Sequence, residues 1–444
     1  MNHRIKFLSV SLLAAITAIT FAAPPIELNT ATDQQKADIR AALVLPKLSG
    51  SVTVTFANNT QQQFIPTADT DAARGVALAA AFAAAVAGST IDCSPGNYYV
   101  AKSTSTIGGY TAQFAILDKM TIRLNGARLY KKSTATASAM FSTNGTNGID
   151  DWAIIGPGTL DGSYAANADT AARGSATNEI GINYNASRRA LISGIRIINF
   201  AGTGLQGNNA TFSSGDAYGG SAMKTSTMKV SHCNIDLNKT GFANYSGNEY
   251  NVLTACSFNK NLTGVDIYAG NTKFIGCEIS GNTNYGLIIR NGGNDGHGCF
   301  SGGWITHNAG FAVYAEASMD NGFLFSDTTL GGDSSTTNKI ESAGGGLTFT
   351  GCYIESPIYS GSTPTGINTI SNSFIAGSYT TVTDLSSAER LKWRFKHNHT
   401  LTGPWTQNDL QVFIFANDAA AAAGGLVVGD AYQVTGTGVV AVKQ

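Results

Sequence analysis

The sequence predicts an all-β solenoid of stacked β-coils, and three observations carry that reading. Cys233, Cys256 and Cys277 occupy the same place in successive units, His-Cys-Asn-Ile-Asp, Ala-Cys-Ser-Phe-Asn and Gly-Cys-Glu-Ile-Ser. Each unit continues with an apolar residue (Ile235, Phe258, Ile279), an asparagine (Asn238, Asn261, Asn282) and a glycine (Gly241, Gly264, Gly286). A repeat period in the low twenties with short apolar strands and no helical pattern is the signature of a solenoid, in which each repeat buries its apolar face against its neighbours. A fourth unit keeps Ile305, Asn308 and Gly310 but has Gly303 in the cysteine position, and Phe349-Thr-Gly-Cys352-Tyr-Ile354 restores the cysteine later.

Composition agrees. Charged residues make up 13% of the 444, about half the usual share, and the 51 glycines exceed the common proportion, so the chain has the turn-rich, weakly charged make-up of many short strands. A net charge of −1 gives no electrostatic reason to expect a nucleic-acid partner.

The chain starts with a basic Met-Asn-His-Arg-Ile-Lys, an apolar run from Phe7 to Phe21 and Ala22-Ala23-Pro24-Pro25. This pattern predicts a secretory signal peptide over 1–22, with a retained N-terminal anchor as the alternative, and no later stretch is long enough to span a membrane. An extracellular, secreted protein is therefore expected. Residues 23–66 read as an adaptor with a short helix over Ala31–Leu43. Thr70 and Asp71 form an N-cap region for an alanine-rich helix through Val86 that is closed by Gly88. Placed just before the strands of Ser89–Val100, that helix would cap an open solenoid end, where backbone and apolar interior are otherwise exposed. The β-helix is assigned to 67–380 and a C-terminal cap or association segment to 381–444.

Six cysteines in an exported chain ordinarily imply disulfides. Here the repeat places equivalent cysteines in adjacent coils about 4.8 Å apart, which favours a buried ladder of free thiols over bridges between rungs. Neither Cys-x-x-Cys nor clustered histidine occurs, so no metal and no cofactor are expected. Early coils are separated by polar inserts at 163–180 and 206–228, which carry Tyr164, Asp169, Glu179, Asp216, Tyr218 and Lys224 and would emerge as loops on one face.

The helix, Ile91-Asp-Cys-Ser-Pro-Gly-Asn-Tyr-Tyr-Val100, Gly156-Pro-Gly-Thr-Leu-Asp-Gly162 and the stacked units together resemble the pectate-lyase-type right-handed parallel β-helix superfamily over residues 70 to 375. The resemblance implies a single-stranded right-handed parallel β-helix. The Ala31–Leu43 stretch and the segment Phe415–Val434 with its valine-rich tail are similar to parts of tailed-bacteriophage appendages, which implies a virion tail as the alternative location. Tailspikes are commonly homotrimers, so Trp393–Trp405 and the tail are either an association element or a C-terminal cap.

Alignment on the glycines gives Gly241-Phe-Ala-Asn-Tyr245, Gly264-Val-Asp-Ile-Tyr268, Gly286-Leu-Ile-Ile-Arg290 and Gly310-Phe-Ala-Val-Tyr314. Strand side chains alternate, so Phe242, Val265, Leu287 and Phe311, with Ile267, Ile289 and Val313, should point inward. Tyr245, Tyr268, Arg290 and Tyr314 should then form one outward column beside Asp266, with Glu316 at its edge. Tyrosine rings and an arginine fork suit a polysaccharide or cell-surface glycan, although an exposed tyrosine ladder also simply stabilises a sheet.

For hydrolysis, Asp266 with Glu316 or Asp295 are the carboxylate candidates, and two coils of separation look long for either glycosidase geometry. For elimination, Arg290, Tyr268, Lys273 or His297 would act as base or charge neutraliser. Gly296-His297-Gly298 resembles one motif of the polygalacturonase branch, but that branch's other motifs are missing, and a turn role for His297 is favoured, as for His307 and Asp161. The expected function is a polysaccharide-binding and polysaccharide-degrading β-helix, lyase or hydrolase, with a non-catalytic adhesin or virion fibre and a structural spacer as alternatives.

Overall fold

The computed structural model describes residues 50–101, 106–107, 110–131, 138–143, 149–163, 179–184, 187–207, 228–244, 250–294, 297–316, 322–332, 338–356, 358–359 and 366–375. It also describes short strands at 393–396, 399–400, 413–415, 431–434 and 440–442. These residues belong to the second of two compact units, 49–444. The signal-peptide and Ala31–Leu43 expectations, Tyr245, Asp295 and all the insert residues named above except Glu179 lie outside the described residues.

The fold is a right-handed parallel β-helix. Its larger sheet joins 21 described strands and its smaller sheet 11, and from Thr121 to His399 the strands of the larger sheet pair in parallel with their neighbours one coil away. A coil runs through three segments, as in Met228–Ser231, Asn234–Asp236 and Thr240–Asn244. The first two share the larger sheet across a corner and the third belongs to the smaller sheet.

That corner explains the cysteine repeat. The residue before each cysteine position takes a positive φ: His232 (54°), Ala255 (49°), Gly276 (60°), Gly302 (63°), Asp327 (50°), Gly351 (65°) and Asn372 (49°). A left-handed residue breaks the strand and turns the next side chain inward, into a space that suits a small apolar group. Gly303 stands in the cysteine position because a Cβ there would meet the Cys277 carbonyl oxygen at 2.1 Å. All six cysteines are free, and five are buried. Burial, with a smaller contribution from the charge of Asp92, pushes the Cys93 thiol up to about 12, and burial pushes Cys352 up to about 11.

The asparagines form a second ladder at the next corner. The amide nitrogens of Phe200, Asn238, Asn261, Asn282 and Asn308 donate to the side-chain oxygens of Asn238, Asn261, Asn282, Asn308 and Asn338, at 2.8–3.1 Å. Their own Nδ2 groups reach back to the carbonyls of Ile197, Ile235, Phe258 and Ile279. Buried corner amides are thereby satisfied, each of which would otherwise cost about 1–3 kcal/mol. Inside, Phe274, Phe300, Phe325, Phe349 and Trp393 continue as a stacked aromatic row.

The capping helix spans Asp71–Ala84, with Thr70 Oγ1 accepting from the Ala73 amide at 3.2 Å. Its Gly75 lies against the Tyr99 carbonyl, where a Cβ would come within 1.8 Å, and Leu78 and Ala81 are buried in the core. The helix stops at Ala84 rather than Val86. The hairpin Val52–Thr55 and Gln61–Phe64 pairs antiparallel, and its first strand also pairs antiparallel with Thr90–Cys93. At the other end the coils continue past the point where the repeat fades in sequence. Trp393–Lys396 pairs in parallel with Asn368–Ser371, and Trp393 is fully buried.

Candidate functional site: an arginine-centred cluster on the smaller sheet

The register of the smaller sheet sorts its side chains. Phe242, Val265, Leu287, Val313 and Ile340 align across five strands and are fully buried. The next position, Ala243, Asp266, Ile288, Tyr314 and Glu341, faces outward. After another inward position (Ile267, Ile289, Ala315) the register of the first two strands shifts, and Tyr268, Arg290 and Glu316, the next residues, meet through their side chains.

Tyr314 therefore does not share a column with Tyr268 and Arg290. It aligns with Asp266, because Ala312, not Gly310, is the counterpart of Gly286, and two extra residues enter before the fourth strand. For the same reason Phe311 does not enter the core. It is half-buried and stacks on Tyr285 with ring centres 5.2 Å apart, and Tyr314 packs on both rings at 5.3 and 5.6 Å.

Arg290 organises the cluster. Its Nε and Nη2 donate to the two carboxylate oxygens of Asp266 at 2.7 and 3.1 Å, and Nη1 donates to Glu316 Oε1 at 3.2 Å. The guanidinium carbon lies 5.1 Å from the centre of the Tyr268 ring. Tyr268 is itself held from behind, its amide donating to Asn244 Oδ1 while Asn244 Nδ2 donates to Thr272 Oγ1, at 3.1 and 2.7 Å. The Asp266 side chain is 12% exposed and Glu316 43%. Two carboxylates two coils apart thus lean onto one guanidinium from the rungs on either side of it.

The electrostatics follow from burial. Desolvation pushes the Asp266 carboxyl above its ordinary range, and the bonds and charge of Arg290 pull it back without cancelling the shift. Tyr268 is raised mainly by desolvation and then by the Asp266 charge, and Tyr314 by desolvation and then by Glu341.

Other expected participants stand elsewhere. Lys273 is on the larger sheet, paired with Val252 and Cys299. The His297 ring covers Gly270, where a Cβ would come within 2.0 Å of it. Asp161 accepts from Arg128, Asn199 and the Ser163 amide, as a structural turn residue does. Glu179 is 1% exposed and pairs with Lys131 at 3.4 Å, so it is not a surface group. Glu341 joins the outward line beside Tyr314, a position the sequence reading missed, although Lys339-Ile-Glu-Ser342 alternates as a half-buried strand should.

No grouping among the described residues could hold a metal ion, and no helix among them is long and apolar enough to cross a membrane. No family model and no curated protein sequence matches the chain. Solved structures do. The A-module of Azotobacter vinelandii mannuronan C-5 epimerase AlgE4 superposes with a TM-score of 0.56 at 13% identity, over 77% of this chain and 97% of that one. The tailspike protein of E. coli bacteriophage HK620, solved with a pentasaccharide, gives 0.43 at 12% identity over 77% and 73%. Geobacillus virus E2 ORF18 gives 0.46 at 12% identity over 85% and 64%. At this identity the first likeness establishes the fold alone, a parallel β-helix.

Proposed function

We propose that the protein binds a polysaccharide along the outward face of the smaller sheet and hydrolyses it. The carrying observation is the cluster itself: Tyr268, Arg290, Asp266, Glu316 and Tyr314 face the same way on successive rungs, with rings braced from behind and charges interlocked. Flat apolar ring faces beside hydrogen-bonding groups are what sugar rings require. The epimerase module similar in fold is, by its name, a protein that acts on a polysaccharide, which supports the reading without assigning a substrate.

Hydrolysis is favoured over elimination by the state of Arg290. Three of its nitrogens already serve carboxylates, so its fork is committed and does not present a free cation to a uronate. Asp266, bonded through both oxygens, holds Arg290 in place. The reacting pair is then Glu316, two residues beyond Tyr314 along its strand, and Glu341, which pairs with Tyr314 on the next strand. Diagonal positions are roughly 7–8 Å apart at the backbone, and side chains rotating from there can set two carboxyl groups at the ~6.5–9.5 Å that admits a water in inverting hydrolysis. One carboxyl gives its proton to the glycosidic oxygen as the bond to the anomeric carbon breaks. The other carboxylate takes a proton from the water whose oxygen bonds to that carbon.

Reducing-end release from a panel of polysaccharides tests this. Glu316→Gln and Glu341→Gln should each lower turnover at least ~100-fold with binding retained. Binding to a glycan that yields no product would remove the hydrolytic step and leave an adhesin.

A further inference from the structure

The larger sheet carries an aromatic column of its own, on a face the cluster does not use. Glu278, Trp304, Thr329, Tyr353 and Phe374 align outward on five consecutive rungs. Trp304 is 48% exposed and Phe374 46%, a large exposure for such rings. Tyr353 is fixed in orientation: its hydroxyl donates to Glu355 Oε1 at 2.8 Å, and Glu355 Oε2 accepts from the Gly332 amide at 2.9 Å. At about 4.8 Å per rung, Tyr353 lies two rungs and Phe374 three rungs from Trp304, roughly 10 and 14 Å away along the solenoid.

The surroundings identify what the column would take. Ser301, Ser326, Thr350 and Ser371 line the strands on one side, and Thr306 and Glu355 line the other. Hydroxyls therefore run along one side of a ribbon one side chain wide, with Thr306, Gly331 and Glu355 on the other. From Glu278 to Phe374 the charged residues of these three columns are Glu278 and Glu355, and the first cation, Lys396, stands one rung beyond Ser371, so the five rungs themselves disfavour an anionic polymer. A half-exposed aromatic ring offers on the order of 100 Å², so the three rings fall well short of the roughly 800 Å² per partner of a stable protein interface. Sheet stabilisation by aromatic pairing does not account for Trp304, whose ladder neighbours are Glu278 and Thr329.

We infer that this ribbon is a second glycan-contact surface, one that stacks a neutral linear polysaccharide along the solenoid axis. It holds the polymer without acting on it, and two surfaces on one rigid body raise retention on a polymeric substrate.

Affinity electrophoresis of the full chain tests the assignment, in gels containing neutral glucan, mannan, xylan or galactan, or anionic alginate or polygalacturonate. The wild type should be retarded by at least one neutral polymer. Trp304→Ala with Phe374→Ser should weaken that retardation at least tenfold with an unchanged melting temperature, and Tyr268→Ala with Tyr314→Ala should leave ribbon-dependent retardation measurable. The inference is overturned by equal retardation of the ribbon variant and the wild type in every gel, or by retardation of the wild type in anionic gels alone or in none. Light scattering that shows a wild-type oligomer dissociating in the ribbon variant would assign the surface to a second copy instead. None of these results depends on whether Glu316 and Glu341 hydrolyse anything.

Discussion

The smaller sheet is closed on both faces over its early strands and open on one face over its later ones. Glu179–Asn183 and Thr203–Gly207 are buried at every position. Phe311–Ala315 and Lys339–Ser342 instead leave outward positions such as Tyr314 and Glu341 partly exposed. The early strands carry polar groups too, but these are consumed internally, with Lys131 on Glu179 and Asn183 Nδ2 on Ser142 Oγ at 3.0 Å. The same coil geometry therefore supports two uses of polar residues. Buried and paired they specify packing; half-exposed on a rigid strand they are available to a ligand.

Breaking the closed half should have the largest effect on stability. Lys131→Met strands the Glu179 carboxylate in a buried site and is expected to cost about 3–5 kcal/mol, read as a lowered denaturation midpoint. Lys131→Met with Glu179→Leu should recover most of that loss, because an apolar pair replaces two buried charges.

In the open half, Arg290→Met should cost less, about 1–3 kcal/mol, because Asp266 can escape by taking up a proton. That escape has a pH signature. The folded-state value of Asp266 is raised, so its contribution to stability is fully present below the ordinary 3.8 and is lost as pH rises through the higher folded value. Mild acidification should therefore weaken glycan binding, as Asp266 loses the charge that holds Arg290, while the same protonation favours the folded state. Parallel titrations of binding and of melting temperature check it; a melting temperature that falls together with binding in the wild type but not in Asp266→Asn would contradict the assignment.

Tyr268→Ala should have the smallest effect on stability, under about 1 kcal/mol, yet a clear effect on binding. Calorimetric unfolding beside glycan retention separates the two. A loss of several kcal/mol would show that the open face is as structural as the closed one.

Much of the architecture was legible from the chain. Cysteine, apolar residue and asparagine recur because each marks a corner or an inward position, and every coil must solve the same backbone problem. The register at Tyr314 was not legible. A two-residue insertion keeps a glycine in view at Gly310 while moving the true counterpart to Ala312, and only hydrogen bonding shows which one pairs. Nor could spacing reveal that Arg290 draws Asp266 and Glu316 together, since that depends on side-chain direction across three coils. The aromatic ribbon, by contrast, was readable. Glu278, Trp304, Tyr353 and Phe374 each directly follow the residue in the cysteine position, and pointing inward by one residue means pointing outward by the next.

The most direct test of the proposed glycan-binding face is hydroxyl-radical footprinting of the full chain with and without a polysaccharide that retards it. The account predicts protection at Tyr268 and Tyr314 on the smaller sheet, and at Trp304 on the larger one. Binding that leaves Tyr268 and Tyr314 as reactive as in the free protein would contradict it.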